Sequence, residues 1–143
     1  MTEHKPDSKE LEEGKKLYLD FAKLEKVVGS SKGIIPVAVQ DYNTKEVILI
    51  AYTNGEAFEK SVKTRIATFW STSRNGLWIK GETSGNTYAL KEIYVNCEQN
   101  SLLYLVRAKK GGICHTSNKK GQARNCYYRR LDLDTGELEN IDP

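Results

Sequence analysis

The chain has 143 residues, a net charge of +3, and 29% charged against 38% hydrophobic residues, proportions of one soluble globular domain rather than of a disordered chain. No apolar run approaches the roughly 20 residues that span a bilayer, and the polar residues 1–7 lack the apolar stretch of a secretory signal, so a cytoplasmic protein is expected. Positive charge is scattered in Lys109-Lys110, Lys119-Lys120 and Arg129-Arg130; this suits a solvated surface or a small phosphorylated ligand and argues against a nucleic-acid binder.

In chain order, the first element is a helix from Ser8 onward, with Leu17, Phe21, Leu24 and Val28 at helical spacing as its apolar stripe. Gly29-Ser30-Ser31-Lys32-Gly33 ends it in a loop. Two β-branched runs, residues 34–40 and 46–53, flank the turn-like Asp41-Tyr42-Asn43-Thr44-Lys45 and predict a hairpin. Asn54 caps a short helix to about Thr64, with Ala57, Phe58 and Val62 as its apolar face. Residues 67–71, 77–80, 89–97 and 101–108 read as strands, Asn100 as the start of a turn, and residues 127–133 as a final strand. The expected fold is a single α+β domain with a mostly antiparallel sheet and a few helices.

Three segments carry chemistry. Trp70-Ser71-Thr72-Ser73-Arg74 and the stretch from Leu77 through Lys80, Thr83, Ser84 and Asn86 pack hydroxyls, glycines and cations together. Exposed backbone N–H groups beside Arg and Lys suit a phosphate, while Ser-Gly-Asn-Thr is equally ordinary turn chemistry. The second segment sets Cys97 between Asn96, Glu98 and Asn100. On a strand those three share one face, and a single carboxylate would hold a hard cation weakly. The third joins Gly111-Gly112, Cys114 and His115 to Cys126 across a polar loop. Three cysteines without a Cys-x-x-Cys pair argue against a disulfide framework. Their spacing alone favours buried free thiols over a metal site.

Taken together, Trp-Ser-x-Ser-Arg, Leu-Trp-x-Lys-Gly-x-Thr-Ser-Gly-Asn-Thr, Gly-Gly-x-Cys-His-Thr and Cys-Tyr-Tyr-Arg follow one another in the order that resembles the phosphoribosyl-AMP cyclohydrolase family. The likeness runs over residues 33–130, leaving residues 1–32 as an N-terminal polar segment and helix and residues 131–143 as a C-terminal tail. It implies zinc on Cys97, Cys114 and Cys126, His115 as the acid–base residue, and substrate contacts from Trp70, Ser71, Ser73, Arg74, Lys80, Thr83, Ser84 and Asn86. It also implies a homodimer with zinc shared between subunits, and a monofunctional form whose pyrophosphohydrolase step comes from another protein. The family's magnesium-associated Asp-Cys-Asp-x-Asp strand is Asn96-Cys97-Glu98-Gln99-Asn100 here, so the charge for magnesium falls from three carboxylates to one.

The activity so implied is zinc-dependent hydrolysis of the N1–C6 bond of the adenine ring of phosphoribosyl-AMP in histidine biosynthesis. Zinc activates the attacking water and His115 moves the proton. Two alternatives stand beside it: a related zinc hydrolase acting on another purine nucleotide, and a non-catalytic zinc-binding module.

Overall fold

The structure, a computed structural model, describes residues 5–23, 29, 33–83, 85–108 and 114–143. Its centre is a four-stranded sheet in the order β2-β1-β6-β5, built from β1 (Ile35–Asp41), β2 (Val47–Thr53), β5 (Tyr88–Val95) and β6 (Leu102–Ala108). The pairs β1/β2 and β5/β6 are antiparallel, and the central pair β1/β6 is parallel. Two-stranded ribbons of β3 (Phe69–Ser71) with β4 (Gly76–Trp78), and of β7 (Arg129–Leu131) with β8 (Leu138–Asn140), are antiparallel as well. The described helices are α1 (Ser8–Glu13) and α2 (Gly55–Thr64), none long and apolar enough to cross a membrane. The expected α+β fold with a mostly antiparallel sheet is therefore what the chain adopts.

Alternation decides which face is buried. Val37 and Val39 on β1, Leu49 and Ala51 on β2, and Leu102, Tyr104 and Val106 on β6 point the same way and are all buried. Phe69 closes this core, with ring centroids 6.0 Å from Tyr104 and 5.5 Å from Trp78. The opposite face is covered at one end, where Ile48 and Leu105 are buried, and open at the other. There the strand register lines up Ile50, Ala38, Leu103 and Tyr94 in one row across all four strands. Ile50 is 49% and Tyr94 53% exposed.

Local chemistry explains the correct expectations and the corrections. Asp41 closes the β1–β2 turn by accepting from the N–H of Asn43 and of Thr44, both at 2.8 Å. Asn54 caps α2 by accepting from Ala57 N–H at 2.9 Å. On α2 the buried residues are Ala57 and Ser61, whereas Val62 is exposed. Ser61 replaces the expected apolar contact with a polar one: its Oγ donates to Thr68 O at 2.9 Å and accepts from Thr68 N–H at 2.8 Å. The long N-terminal helix is not formed. It ends after Glu13, where Gly14 turns extended and donates its N–H to Glu10 O at 3.0 Å. A Cβ on Gly14 would stand 2.4 Å from that oxygen, so only glycine fits. Leu17 and Phe21 are consequently outside any helix and are 38% and 86% exposed. Leu24 and Val28, like most of the loop after them, lie outside the described residues.

The C-terminal residues form more than the single expected strand. Asp132 turns β7 back into β8 by accepting from Asp134 N–H at 2.8 Å and Thr135 N–H at 3.1 Å. These two bonds hold its carboxyl below the usual range. The ribbon docks on the N-terminal segment through Leu138 N–H to Lys15 O at 2.7 Å.

Arg124 fastens these outlying pieces together. Its side chain, 3% exposed, donates from Nη1 to Glu13 Oε1 at 2.6 Å and from Nε to Asp142 O at 2.8 Å. The guanidinium lies 4.5 Å from the centre of the Tyr128 ring. Removing it strands a carboxylate and a carbonyl and leaves a void beside Tyr128. Arg124→Ala is expected to cost about 3 kcal/mol and to lower Tm by about 10 °C, read by thermal denaturation followed by circular dichroism. Arg124→Lys, which lacks the planar fork, should recover less than half of that loss.

Candidate active site

Cys114 and Cys126 are brought side by side. Cys114 donates its backbone N–H to Arg124 O at 2.7 Å, and Arg124 returns its N–H to Thr116 O at 3.2 Å, so residues 114–124 fold back on themselves. Cys126 then donates its N–H to Ile48 O at 3.1 Å, which docks the loop on the outer edge of β2. The two side chains are near enough for Cys114 to act on the Cys126 thiol. Thr116 Oγ1 donates to Cys114 Sγ at 3.2 Å. Although Cys126 as a residue is exposed, the crowding of its sulfur and the neighbouring Cys114 push its thiol up to about 11. Burial, with Cys126 adding to it, also raises the phenols of Tyr88 and Tyr127. Both therefore stay protonated near neutral pH.

Cys97 lies elsewhere. It sits in the exposed turn beyond Val95, at the far end of β5 from Tyr88, whose phenol feels the charge of Cys126. A strand of this length spans about 20 Å at ~3.3 Å per residue, whereas one metal ion draws thiolates to about 2.3 Å from itself. Among the described residues no group of three or more His, Cys, Asp or Glu side chains could hold a metal ion within one chain.

The row of Asn96, Glu98 and Asn100 differs from expectation in its backbone. These residues form a turn rather than a strand, closed by Gln99 N–H to Asn96 O at 3.1 Å and Asn96 N–H to Ser101 O at 3.3 Å. Alternation therefore does not apply to them. The three side chains meet all the same, through hydrogen bonds. Asn96 Oδ1 accepts from the N–H groups of Asn100 and Ser101 at 2.9 and 3.0 Å. Asn96 Nδ2 donates to Asn100 Oδ1 at 2.6 Å, and Asn100 Nδ2 to Glu98 Oε2 at 3.3 Å. Both amide oxygens thus already have donors.

The hydroxyl-rich segment splits in two. Trp70, Ser71 and Ser73 line a cleft of about 240 Å³ together with Tyr52, Trp78 and Lys23. The hydroxyls of Ser71 and Ser73 lie 3.3 Å apart, and Ser71 Oγ accepts from Arg74 N–H at 3.3 Å. Arg74, Lys80, Thr83 and Asn86 do not line this cleft, and Ser84 is outside the described residues. Gly81, at φ +80°, lets the loop close: a Cβ there would come within 2.0 Å of Asn86 O. Tyr52 was missed, although alternation on β2 sets it on the face of Ile50. Trp78 has a double role, at once against Phe69 and in the cleft wall. Nothing in the sequence signalled Lys23.

His115 projects beside the thiol pair's loop, with its side chain 78% exposed, and its Nε2 lies 2.6 Å from Glu12 Oε1.

A family model described as phosphoribosyl-AMP cyclohydrolase matches residues 49–128, more than half of the chain. The chain belongs to the phosphoribosyl-AMP cyclohydrolase family. A protein of that name from Archaeoglobus fulgidus is 50% identical over 103 residues, 72% of this chain and 90% of the relative. The one from Solibacter usitatus is 41% identical over 124 residues, 87% of each. One from Cenarchaeum symbiosum is 50% identical over 99 residues, 69% of this chain and 86% of its own length. As a cyclohydrolase the chain is an enzyme, a hydrolase of a cyclic C–N bond. The matched stretch contains all three cysteines, His115 and the cleft residues from Tyr52 to Trp78, but neither Lys23 nor α1.

One prediction follows from the thiol pair in this cyclohydrolase. At pH 8 a thiol near 11 has a thiolate fraction about a hundred times smaller than one at the ordinary 9.0. In metal-free protein, alkylation by iodoacetamide at pH 8 should therefore modify Cys126 much more slowly than an unperturbed cysteine peptide added to the same sample, as read by peptide mass spectrometry. The rate at Cys126 should rise about tenfold per pH unit up to about pH 11.

Proposed function

We propose that this enzyme hydrolyses the N1–C6 bond of phosphoribosyl-AMP in histidine biosynthesis, at a zinc site completed by two copies of the chain. The observation that carries the reading is the separation of the cysteines: Cys114 and Cys126 adjoin each other, and Cys97 is exposed at the opposite end of the sheet. The donor set fits the metal, since paired soft thiols suit zinc and a third thiol from a partner leaves one position open. The uncovered row Ile50, Ala38, Leu103 and Tyr94 supports a homodimer. A two-fold axis at right angles to the strands would bring the Cys97 end of each copy to the thiol pair of the other.

In this reading Cys114 and Cys126 of one copy and Cys97 of the other hold zinc. The ion supplies Lewis acidity, which brings the pKa of water toward neutrality. The substrate's N1 substituent makes the purine ring cationic and C6 electrophilic. Water adds to C6 and the N1–C6 bond breaks; N1 gains one of the water's protons, and the other is released to solvent as the oxygen becomes the carbonyl of a carboxamide, which discharges the ring's positive charge. His115 takes the proton from water and returns it to N1. Trp70, Ser71 and Ser73, with Arg74, Lys80, Thr83, Ser84 and Asn86, hold the phosphates and riboses, and such positioning lowers the barrier by several kcal/mol.

Mixing inactive variants tests the shared site. Cys97→Ala and Cys114→Ala should each lose zinc and turnover of phosphoribosyl-AMP. After subunit exchange, half of the dimers are mixed and each has one intact site of two, so activity should return to about a quarter of wild type. No recovery in a sample whose exchange is verified by native mass spectrometry would sink the proposal, as would an active monomer.

Magnesium, in the same reading, is a weak participant. Two amides replace carboxylates, and their oxygens already accept hydrogen bonds. A magnesium titration of zinc-loaded enzyme should show a shallow response. The triple change Asn96→Asp, Glu98→Asp and Asn100→Asp should raise magnesium affinity by about an order of magnitude. A steep magnesium requirement in the unaltered enzyme would contradict the charge argument.

A further inference from the structure

We propose that Glu12 is a positioning residue for His115: the N-terminal helix delivers a carboxylate that holds the imidazole by Nε2 and leaves Nδ1 to face the substrate. The proposal rests on the reading of His115 as the proton carrier. Glu12 lies outside the residues 49–128 that the family model matches.

The contact joins residues 103 positions apart at 2.6 Å. An ionised carboxylate only accepts, so Nε2 carries the hydrogen and donates to Glu12 Oε1. In the neutral ring that arrangement leaves the lone pair on Nδ1. An exposed pair of this kind adds little to stability and would not hold two flexible side chains together unaided. Here both ends are held by other means. The Glu12 carbonyl accepts from Tyr128 Oη–H at 2.6 Å, and the next residue, Glu13, pairs with the buried Arg124. Arg129 Nη1 donates to Gly14 O at 3.1 Å, which pins the chain just past the helix. His115 is gripped on both sides by the backbone bonds of Cys114 and Thr116 to Arg124. What remains free is the rotation of the imidazole, and that is the freedom the Glu12 carboxylate removes. Outer-shell carboxylates that orient a metal-bound histidine are worth about 10- to 100-fold in affinity or activity, and the lower end of that range is expected for one that orients a proton carrier.

The test is a double-mutant cycle read through kcat and KM on zinc-loaded enzyme. Glu12→Ala should lower kcat about tenfold, with KM, zinc content and Tm close to wild type. Glu12→Gln keeps an oxygen acceptor and should retain most of kcat. In a His115→Ala background, Glu12→Ala should cause no further loss. Wild-type kcat in Glu12→Ala, or an equal loss in both backgrounds, overturns the proposal. A second readout needs no turnover. His4 and His115 are the only histidines, so loss of a signal in His115→Ala assigns the His115 Nε2–H in a proton–nitrogen spectrum. That signal should broaden or vanish by exchange with water in Glu12→Ala, and an unchanged signal overturns the contact itself. If the signal responds as expected while His115→Ala keeps full activity, the proton-carrier reading fails and the contact stands.

Discussion

A single guanidinium joins three stretches of chain that lie far apart in sequence. Arg124 belongs to the loop between Cys114 and Cys126, yet its nitrogens bind Glu13 near one terminus and the Asp142 carbonyl at the other. A charge this deeply buried is tolerable only when paired, and here the carboxylate, the carbonyl and the Tyr128 ring together replace its water. Because its backbone also bonds to Cys114 and Thr116, the same residue sets the shape of the thiol loop. The sheet would form without Arg124. The arrangement of termini around the thiols would not.

This division runs through the whole molecule. The sheet is an apolar structure decided by alternation, and its packing is indifferent to chemistry. The reactive groups all lie at its margins: a thiol pair on the β2 edge, a lone thiol beyond β5, and a hydroxyl-lined cleft beside the β3–β4 ribbon. Margins are where backbone and side chains remain free to meet a ligand or another subunit. A rigid sheet between them fixes their spacing, so the distance separating Cys97 from the pair is a property of strand length rather than of loop flexibility.

Much of this was legible in the sequence, and the failures have identifiable causes. The β1–β2 hairpin and α2 announced themselves through Asp41 and Asn54, whose side chains bond to the next few backbone N–H groups. The β7–β8 ribbon carried the same signal unread. Asp132, Asp134 and Thr135 repeat Asp41, Asn43 and Thr44, and the bonds match: Thr44 Oγ1 accepts from Glu46 N–H as Thr135 Oγ1 does from Glu137 N–H, both at 3.2 Å. The N-terminal helix was expected to run too far because apolar spacing continued past Gly14, where backbone geometry had already ended the helix. The turn at Asn96 escaped because period-two reasoning presumes an extended chain. Trp70, Ser71 and Ser73, neighbours in one local motif, line one cleft, while Arg74, Lys80, Thr83 and Asn86 from the same segment do not. Glu12 meets His115, and Lys23 meets the cleft, only through tertiary contacts, which no local pattern encodes.

The bond from Cys126 to Ile48 also has a protective side. β2 is the outer strand of the sheet, and an outer strand with β-branched residues such as Val47 and Ile50 is a template on which another chain can pair. The thiol-bearing loop occupies part of that edge. Anything that loosens the loop therefore uncovers a growing point for aggregation, so the protection of this edge and the placement of the thiol pair depend on the same few atoms.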